Sequence, residues 1–262
     1  MKSLPKTWNI SDDLGQIEYL FSDKTGTLTQ NKMEFRKCSV GGISYGQGLE
    51  DFTTISNSVA FDSLLKSETL MRHTLSSIAF NPYLSSKSLP FIDSHIALDL
   101  SLRESPQSQR LNEFFLLLAL CHTVLSPKSN VDDVLTYKAQ SPDEFSLVTT
   151  AKDMGFVFLG KSQNRLETRI LGQNQSFELL NLFEFNSTRK RMSVIVRTPK
   201  NQILLLSKGA DNVIFDRLQT GQNDMKRETL LHLDSFANEG EVKDLCWHEG
   251  RRKGEGGWRW EV

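Results

Sequence analysis

A carboxylate stands at the end of an apolar run near the start of the chain. The run, Ile17 to Phe21, predicts a β-strand, and the string DKTGTLT, residues 23–29, predicts a glycine-containing loop directly after it. In α/β folds the carboxyl ends of strands carry the active site. Asp23 is therefore predicted to act as a nucleophile that attacks a phosphoryl group, with Mg²⁺ offsetting the charge repulsion and backbone N–H groups of the loop holding the oxygens.

A second candidate group opens at Ser141. Serine as N-cap, Pro142 at the first helical position and Glu144 at the third form a capping box, and Gly155 is a stop signal. The sequence therefore predicts a helix over 142–154. The capping box is sufficient by itself to explain Glu144.

Aromatic and basic residues surround a predicted hairpin. Phe185 ends an apolar strand, where its ring is either a core side chain or a stacking surface for adenine. If residues 198–201 form the turn, Arg191 lies directly opposite Lys208, and like charges in that position destabilise a sheet. An anion such as a phosphate tail would relieve the repulsion, although a shift of one residue in register removes this inference. Gly209 would let a ligand approach the backbone closely.

The elements that must position these residues are predicted from periodicity. Residues 156–208 contain β-branched and aromatic runs separated by turn residues, which predicts an antiparallel sheet. Helical spacing begins at residue 109, with apolar residues on several faces that indicate deep burial. The serine-rich stretch 52–108 predicts loops with short helices. Two further helices are predicted at 213–218 and 226–236, and residues 241–262 show no sustained period, which predicts a disordered tail.

Composition excludes several classes of protein. The chain has 262 residues, 38% hydrophobic and 24% charged, and a formal net charge of −1, which leaves no basic field for a nucleic acid. Three cysteines without a CxxC pair argue against a disulfide framework and a zinc site, and are typical of a reducing compartment. The longest apolar run, 114–121, is too short to span a bilayer, and no secretory signal is visible. The five histidines show no metal-ligand spacing and are interpreted as solvated or incidental.

The string DKTGTLT resembles the phosphorylation motif of P-type ATPases, within the haloacid-dehalogenase-like superfamily. Phosphatases of that superfamily carry a second acid two residues after the nucleophile, where this chain has Thr25. Further strings resemble the type IV class, the phospholipid flippases, and together the match covers roughly residues 12 to 240. These strings are GQIEYLFS (15–22), QNKM (30–33), QSPDE (140–144), FNSTRKRMS (185–193) and KGAD (208–211).

The resemblance implies an α+β fold with three parts. Residues 1–37 would be an incomplete first strand and motif of an α/β, Rossmann-like phosphorylation domain. Residues 38–240 would be an antiparallel-sheet nucleotide-binding domain with flanking helices, and 241–262 a tail foreign to the family. The implied catalytic residues are Asp23, Lys24 and Thr25, with Mg²⁺ held by Asp23 and the backbone carbonyl of Thr25. The implied ATP contacts are Glu144, Phe185 and Lys208, and the hairpin pairing adds Arg191.

Two functions follow from the resemblance. In the first, the chain is the ATP-binding cytosolic portion of a phospholipid-translocating ATPase, which forms an aspartyl-phosphate in its full-length parent. In the second, it is an isolated soluble nucleotide-binding module without transport or ATPase activity, because the membrane, actuator and remaining phosphorylation parts are absent. A phosphatase of the same superfamily is disfavoured by Thr25.

The resemblance also implies partners and a location. ATP is the direct ligand, and phospholipid is reached only through the parent. The accessory membrane subunit of the family is not expected to bind this chain, and no nucleic acid is expected. The chain itself is expected in the cytosol, whereas family members are integral proteins of Golgi, endosomal or plasma membranes.

Overall fold

The computed structural model describes residues 16–19, 21–23, 27–28, 30, 32–46, 58–127, 135–218, 220–239, 246–254 and 257–261. The chain divides into two units, Met1–Met33 and Glu34–Val262. In the first unit the described part of the predicted strand, 17–19 and 21, is not a strand, and the side chains of Tyr19 and Phe21 are 77% and 93% exposed. A strand is stable only when it is paired, and no described residue pairs with this one. The strand prediction is therefore wrong for these residues.

The second unit contains helices and strands in alternating groups. The strands are β1 (Lys37–Val40), β2 (Ile43–Gly46), β3 (Phe156–Ser162), β4 (Arg165–Ile170), β5 (Gln173–Phe183), β6 (Arg191–Arg197), β7 (Ile203–Gly209), β8 (Cys246–Gly254) and β9 (Gly257–Glu261). The helices are α1 (Ser58–Ile78), α2 (Ser94–Ser101), α3 (Pro106–Leu120), α4 (Pro142–Asp153), α5 (Asp211–Phe215) and α6 (Asn223–Asn238). Among the described residues no helix is long and apolar enough to cross a membrane.

The strands β3 to β9 form one antiparallel sheet in which each strand pairs with the next along the chain. Such a meander requires only short connections, and the strands β3 to β7 follow one another with two to seven residues between them. The strands β1 and β2 form a separate hairpin. The predicted α+β class and the antiparallel sheet over 156–208 are confirmed.

The core lies between this sheet and the helices α3 and α4. Phe115 is fully buried, and its ring stacks on that of Phe156 in β3 with centroids 5.6 Å apart. The other fully or almost fully buried apolar side chains of α3 are Leu111, Leu117, Leu118, Ala119 and Leu120. The deep burial predicted for this helix is confirmed.

The helix α4 matches its predicted range closely. Its N-cap is Ser141, whose hydroxyl accepts a hydrogen bond from the backbone N–H of Asp143 at 3.2 Å. Gly155 follows the helix with φ +91°, a conformation that favours glycine. Local signals alone were sufficient to predict this element.

The serine-rich stretch differs from its prediction, because α1 is a helix of 21 residues. Ser76 and Ser77 donate their hydroxyl protons to backbone carbonyl groups one turn earlier, those of Arg72 and Thr74. In addition, Met71 is buried. Serine hydroxyls that favour loops in isolation are thus satisfied within the helix.

The predicted tail also differs from expectation. Residues 246–254 and 257–261 form β8 and β9, and β8 pairs with β7 so that Gly250 lies opposite Leu205 and Cys246 opposite Gly209. Without β8, strand β7 would end the sheet and present a row of unpaired N–H and C=O groups. The periodicity of the tail sequence does not indicate this pairing, because the need for a partner strand comes from β7 and not from the tail.

Candidate functional site

A largely buried ion pair joins the first turn of α4, the helix that precedes the sheet, to β7, one of the central strands. Lys208, on β7, is 7% exposed, and its Nζ lies 2.9 Å from Oε1 of Glu144 at the start of α4. The other carboxylate oxygen, Oε2, accepts hydrogen bonds from the backbone N–H of Thr123 at 3.0 Å and from its hydroxyl at 2.6 Å. The capping-box interpretation of Glu144 is therefore wrong: its carboxylate is directed to Lys208 and Thr123 instead of to its own helix.

The protonation state of Glu144 follows from these contacts. Burial raises the pKa of the carboxyl group, but the charge of Lys208 and the hydrogen bonds from Thr123 outweigh it and hold the pKa below its ordinary value. Glu144 is thus a carboxylate at neutral pH. An anionic Glu144 fixes the direction in which the ammonium group of Lys208 points.

His122 lies next to this ion pair and is only 7% exposed. Its Nδ1 accepts a hydrogen bond from the N–H of Val124 at 3.1 Å, so Nε2 carries the proton and donates to the carbonyl of Ala119 at 2.9 Å. Burial, and then the charge of Lys208, lower the pKa of the imidazole to about 4. Of the two interpretations of the histidines, solvated or incidental, the first is wrong for His122, which is a buried, neutral structural residue.

Cys121 completes the buried layer beneath the ion pair. Its sulfur lies 3.9 Å from the carbonyl oxygen of Met192 and 3.8 Å from that of Leu206. Burial raises the pKa of the thiol to about 12, despite the nearby charge of Lys208. Because the thiolate is the nucleophilic form, Cys121 is an inert core residue.

The register of the β6–β7 hairpin differs from the predicted one by a single residue. Met192, not Arg191, lies opposite Lys208, and Arg191 lies opposite Gly209. The loop runs from Thr198 to Gln202, whose ends are joined by a 2.8 Å hydrogen bond, and Asn201 adopts φ 58° within it. The predicted opposition of Arg191 and Lys208 is therefore wrong, because the loop contains one residue more than the predicted turn.

Arg191 belongs instead to a cluster of three arginines, with Arg189 and Arg217. Burial lowers the pKa of Arg191, and the charges of Arg217 and then Arg189 lower it further, as expected for neighbouring cations. Among the described residues none of the three forms an ion pair. Arg217, which follows α5, was missed in the sequence; the only signal was its closeness along the chain to the KGAD string. Within the described part of the chain this arginine cluster has no carboxylate partner.

Phe185 follows β5 and precedes β6. Its side chain is 63% exposed, so it is not the core residue of the alternative interpretation. The segment after it is a tight turn in which the side-chain oxygen of Asn186 accepts the N–H of Arg189 at 2.7 Å. Since Phe183 pairs with Ser193, and Met192 with Lys208, the end of β5, the start of β6 and the end of β7 lie at the same end of these inner strands.

Comparison with known proteins identifies the chain's family. The family model described as "P-type ATPase, cytoplasmic domain N" matches residues 110–241. The chain belongs to the P-type ATPase family. It is 46% identical to the phospholipid-transporting ATPase DNF1 of Chaetomium thermophilum, over 93% of this chain and 16% of that protein. It is 46% identical to the phospholipid-transporting ATPase dnf2 of Schizosaccharomyces pombe, over 92% of this chain and 18% of that protein.

A human relative gives the same result. The phospholipid-transporting ATPase ID of Homo sapiens is 42% identical over 90% of this chain and 18% of its own length. The chain thus spans about a sixth of the length of these curated P-type ATPases. The resemblance to the phospholipid-transporting class is confirmed, and the domain N match contains Thr123, Glu144, Phe185, Arg191 and Lys208.

The predicted catalytic residues of this P-type ATPase chain lie outside the domain N match. Asp23 is exposed and belongs to the unit 1–33, while Lys24 and Thr25 lie outside the described residues. In the part of the chain that the structure describes, no group of three or more His, Cys, Asp or Glu side chains is placed to hold a metal ion.

Gly209 has a structural role in domain N that the sequence did not reveal. A Cβ atom at this position would lie 2.5 Å from the carbonyl oxygen of Lys190 and 2.5 Å from Cβ of Arg191. The space that a ligand was expected to use is therefore filled by β6. Any side chain at Gly209 would push β6 away from β7, and with it the arginine cluster.

Proposed function

We propose that the chain binds ATP at one end of three inner strands of the sheet, where β5 ends, β6 begins and β7 ends. The observation that carries this proposal is the arginine cluster, whose three guanidinium groups lack a carboxylate partner in the described part of the chain. A triphosphate supplies several negative charges, and guanidinium groups bind phosphate oxygens in a bidentate manner. Membership of the P-type ATPase family supports the same proposal.

The remaining site residues have separate roles in the proposed complex. Phe185 offers its exposed ring face to the adenine base. Lys208 has three N–H donors, of which one is directed to Glu144, so the others are available to phosphate oxygens. Glu144 acts through Lys208, because its carboxylate sets the direction of the ammonium group.

Phosphoryl transfer is proposed for the longer protein to which such a region belongs. A carboxylate oxygen of Asp23 would attack the γ-phosphorus of ATP, the bond from that phosphorus to the bridging oxygen would break, and ADP would leave with the electron pair. Mg²⁺ ordinarily offsets the charges in such a transfer. Among the described residues no group of three or more His, Cys, Asp or Glu side chains is placed to hold a metal ion. In the expected arrangement Asp23 and the backbone carbonyl of Thr25 would hold Mg²⁺ together with the phosphates of ATP.

Transport of phospholipid is a function of the relatives by name, and we propose it for this chain only as part of a longer transporter. In that setting the domain faces the cytosol, as the description of the family model states for domain N. The second candidate function is an ATP-binding module without phosphoryl transfer. It is favoured by Asp23, which is exposed, and the described residues just before it, 17–19 and 21–22, form no strand.

A phosphoenzyme assay distinguishes the two functions. Incubation with ATP labelled at the γ-phosphate is expected to leave no acid-stable, hydroxylamine-sensitive label on the chain, while ATP binding persists. Asp23→Asn serves as the matched control, because it removes only the nucleophile. A label that is present in the natural chain and lost in Asp23→Asn would contradict the hypothesis of a binding module without phosphoryl transfer. It would support transfer of the γ-phosphate to Asp23.

ATP binding itself is tested at Phe185. Replacing Phe185 with alanine is expected to weaken ATP binding by about threefold to tenfold, because an aromatic stacking contact contributes about 0.5 to 1.5 kcal/mol. The melting temperature should not change, since the ring is 63% exposed. Isothermal titration with ATP measures the effect, and Phe80→Ala, which removes a ring that is 74% exposed, is the control. Equal affinities for the two variants would exclude Phe185 from the site.

A further inference from the structure

A cavity of about 200 Å³ lies between the C-terminal end of α1, the end of α4 and the strands β3 and β4. Its walls are mainly apolar, with Leu75, Leu84, Val157 and Leu171 among the lining residues. Phe80 also lines it and is 74% exposed, so this ring stands at the opening. None of these residues belongs to the proposed ATP site.

One charged side chain in this cavity is not satisfied. Arg169, on β4, lies directly opposite Val157 on β3, and both side chains line the cavity. The Nε atom of Arg169 is buried and has no hydrogen-bond partner. Among the described residues Arg169 forms no ion pair. A buried N–H donor without an acceptor costs stability. Because the guanidinium group of Arg169 lines the cavity without a counter-charge among the described residues, it favours an anionic ligand.

The other polar groups of the cavity are already paired. The carboxylate of Asp153 accepts hydrogen bonds from the N–H and hydroxyl of Ser85 and pairs with Lys152 at 2.9 Å. The side chain of Asn81 donates to the carbonyl of Lys152 at 2.8 Å and accepts the N–H of Tyr83 at 3.1 Å. The charge of Asp153 is therefore offset by Lys152, and Arg169 remains the one lining cation without a counter-charge in the described cavity.

We infer that this cavity binds a small organic carboxylate with an apolar body. The carboxylate pairs with the guanidinium group of Arg169, and the apolar body contacts the leucine and valine walls. Inorganic phosphate does not fit as well, because the walls offer few donors to its remaining oxygens. A nucleotide is too large, since pockets for ligands of that size measure about 300 to 1,000 Å³.

Benzoate is a suitable probe, because it combines a carboxylate with a compact ring. We expect saturable binding of benzoate to the full chain, measured by ligand-observed NMR, and about tenfold weaker binding of benzyl alcohol, which lacks the charge. Arg169→Gln should weaken benzoate binding by a similar factor. Arg165→Gln, at an exposed position on the same strand, should leave it unchanged and is the matched control. ATP affinity should be the same in all variants, which separates this site from the proposed function.

Three results would overturn the inference. Equal affinities for benzoate and benzyl alcohol would show that Arg169 recognises no charge. Equal or tighter binding of inorganic phosphate would show that the apolar walls contribute nothing. If Arg169→Gln does not fold, the natural chain still decides: nuclear Overhauser contacts between the benzoate ring and the methyl groups of Leu84, Val157 or Leu171 are expected, and their absence at saturation would place the ligand elsewhere.

Discussion

Replacing Lys208 with alanine is expected to reduce the free energy of unfolding by about 3 kcal/mol, because removing one partner of a buried ion pair leaves the other charge uncompensated. The group left without its counter-charge is Glu144, whose side chain is 15% exposed. The same variant should weaken ATP binding at least about tenfold, since a charged hydrogen bond to the phosphates is lost. Urea denaturation and isothermal titration with ATP measure the two effects.

Two further variants separate the loss of stability from the loss of binding. Lys200→Ala removes an exposed lysine from the loop of the same hairpin and should change neither quantity. The double variant Lys208→Met with Glu144→Gln removes both charges and should regain most of the stability without regaining ATP affinity. If Lys208→Ala binds ATP as the natural chain does, Lys208 is a structural residue and the proposed phosphate contact does not exist.

Acidification from pH 6.5 to pH 4 is expected to remove about 3 kcal/mol of stability through His122 alone, because one unit of pKa difference corresponds to about 1.4 kcal/mol. The sign follows from the lowered pKa of the folded state. Below pH 6.5 His122 is protonated in the unfolded chain, whereas in the folded chain it stays neutral until about pH 4. Because the unfolded chain binds the proton more tightly, protonation favours unfolding. The contribution is complete above pH 6.5 and is lost as the pH falls through this window.

The free energy of unfolding in urea, measured at several pH values, tests this expectation. Glu144 also loses its stabilising charge in acid, because its folded pKa lies below the ordinary value, so a variant is needed to isolate the histidine. His122→Gln cannot ionise and should show a shallower dependence on pH between 4 and 6.5. His95→Gln, at an exposed position, should keep the natural slope. Equal slopes for natural chain and His122→Gln would mean that His122 is protonated in the folded protein.

Features with a local cause were predicted well from the sequence. The helix α4 is encoded by Ser141 and Pro142 at one end and Gly155 at the other, all of which act within a single turn. The antiparallel strands were visible in their β-branched runs. Phe185 and Lys208 were predicted as ATP contacts because each lies in a string that resembles the family. In the structure Phe185 follows the end of β5, and Lys208 lies near the end of β7.

Features with a nonlocal cause were not predictable in this way. Glu144 pairs with Lys208, 64 residues along the chain, and no pattern near Ser141 indicates that partner. Arg217 comes close to Arg189 and Arg191 because α5, which precedes it, packs on β7. The spacing of these arginines along the sequence does not indicate this. Arg169 is one of many arginines in the sequence, and only its surroundings show that it lacks an acceptor.

The loop between β6 and β7 determines which side of the sheet each residue of β7 occupies. Because side chains alternate, pairing Lys208 with Arg191 instead of Met192 would carry the lysine to the opposite side, away from Glu144. The fifth loop residue, Gln202, thus sets the register that allows the ion pair to form. With a loop one residue shorter, Lys208 and Glu144 would lie on opposite sides of the sheet. In this domain the length of a short surface loop is constrained as tightly as the identity of a ligand-binding residue.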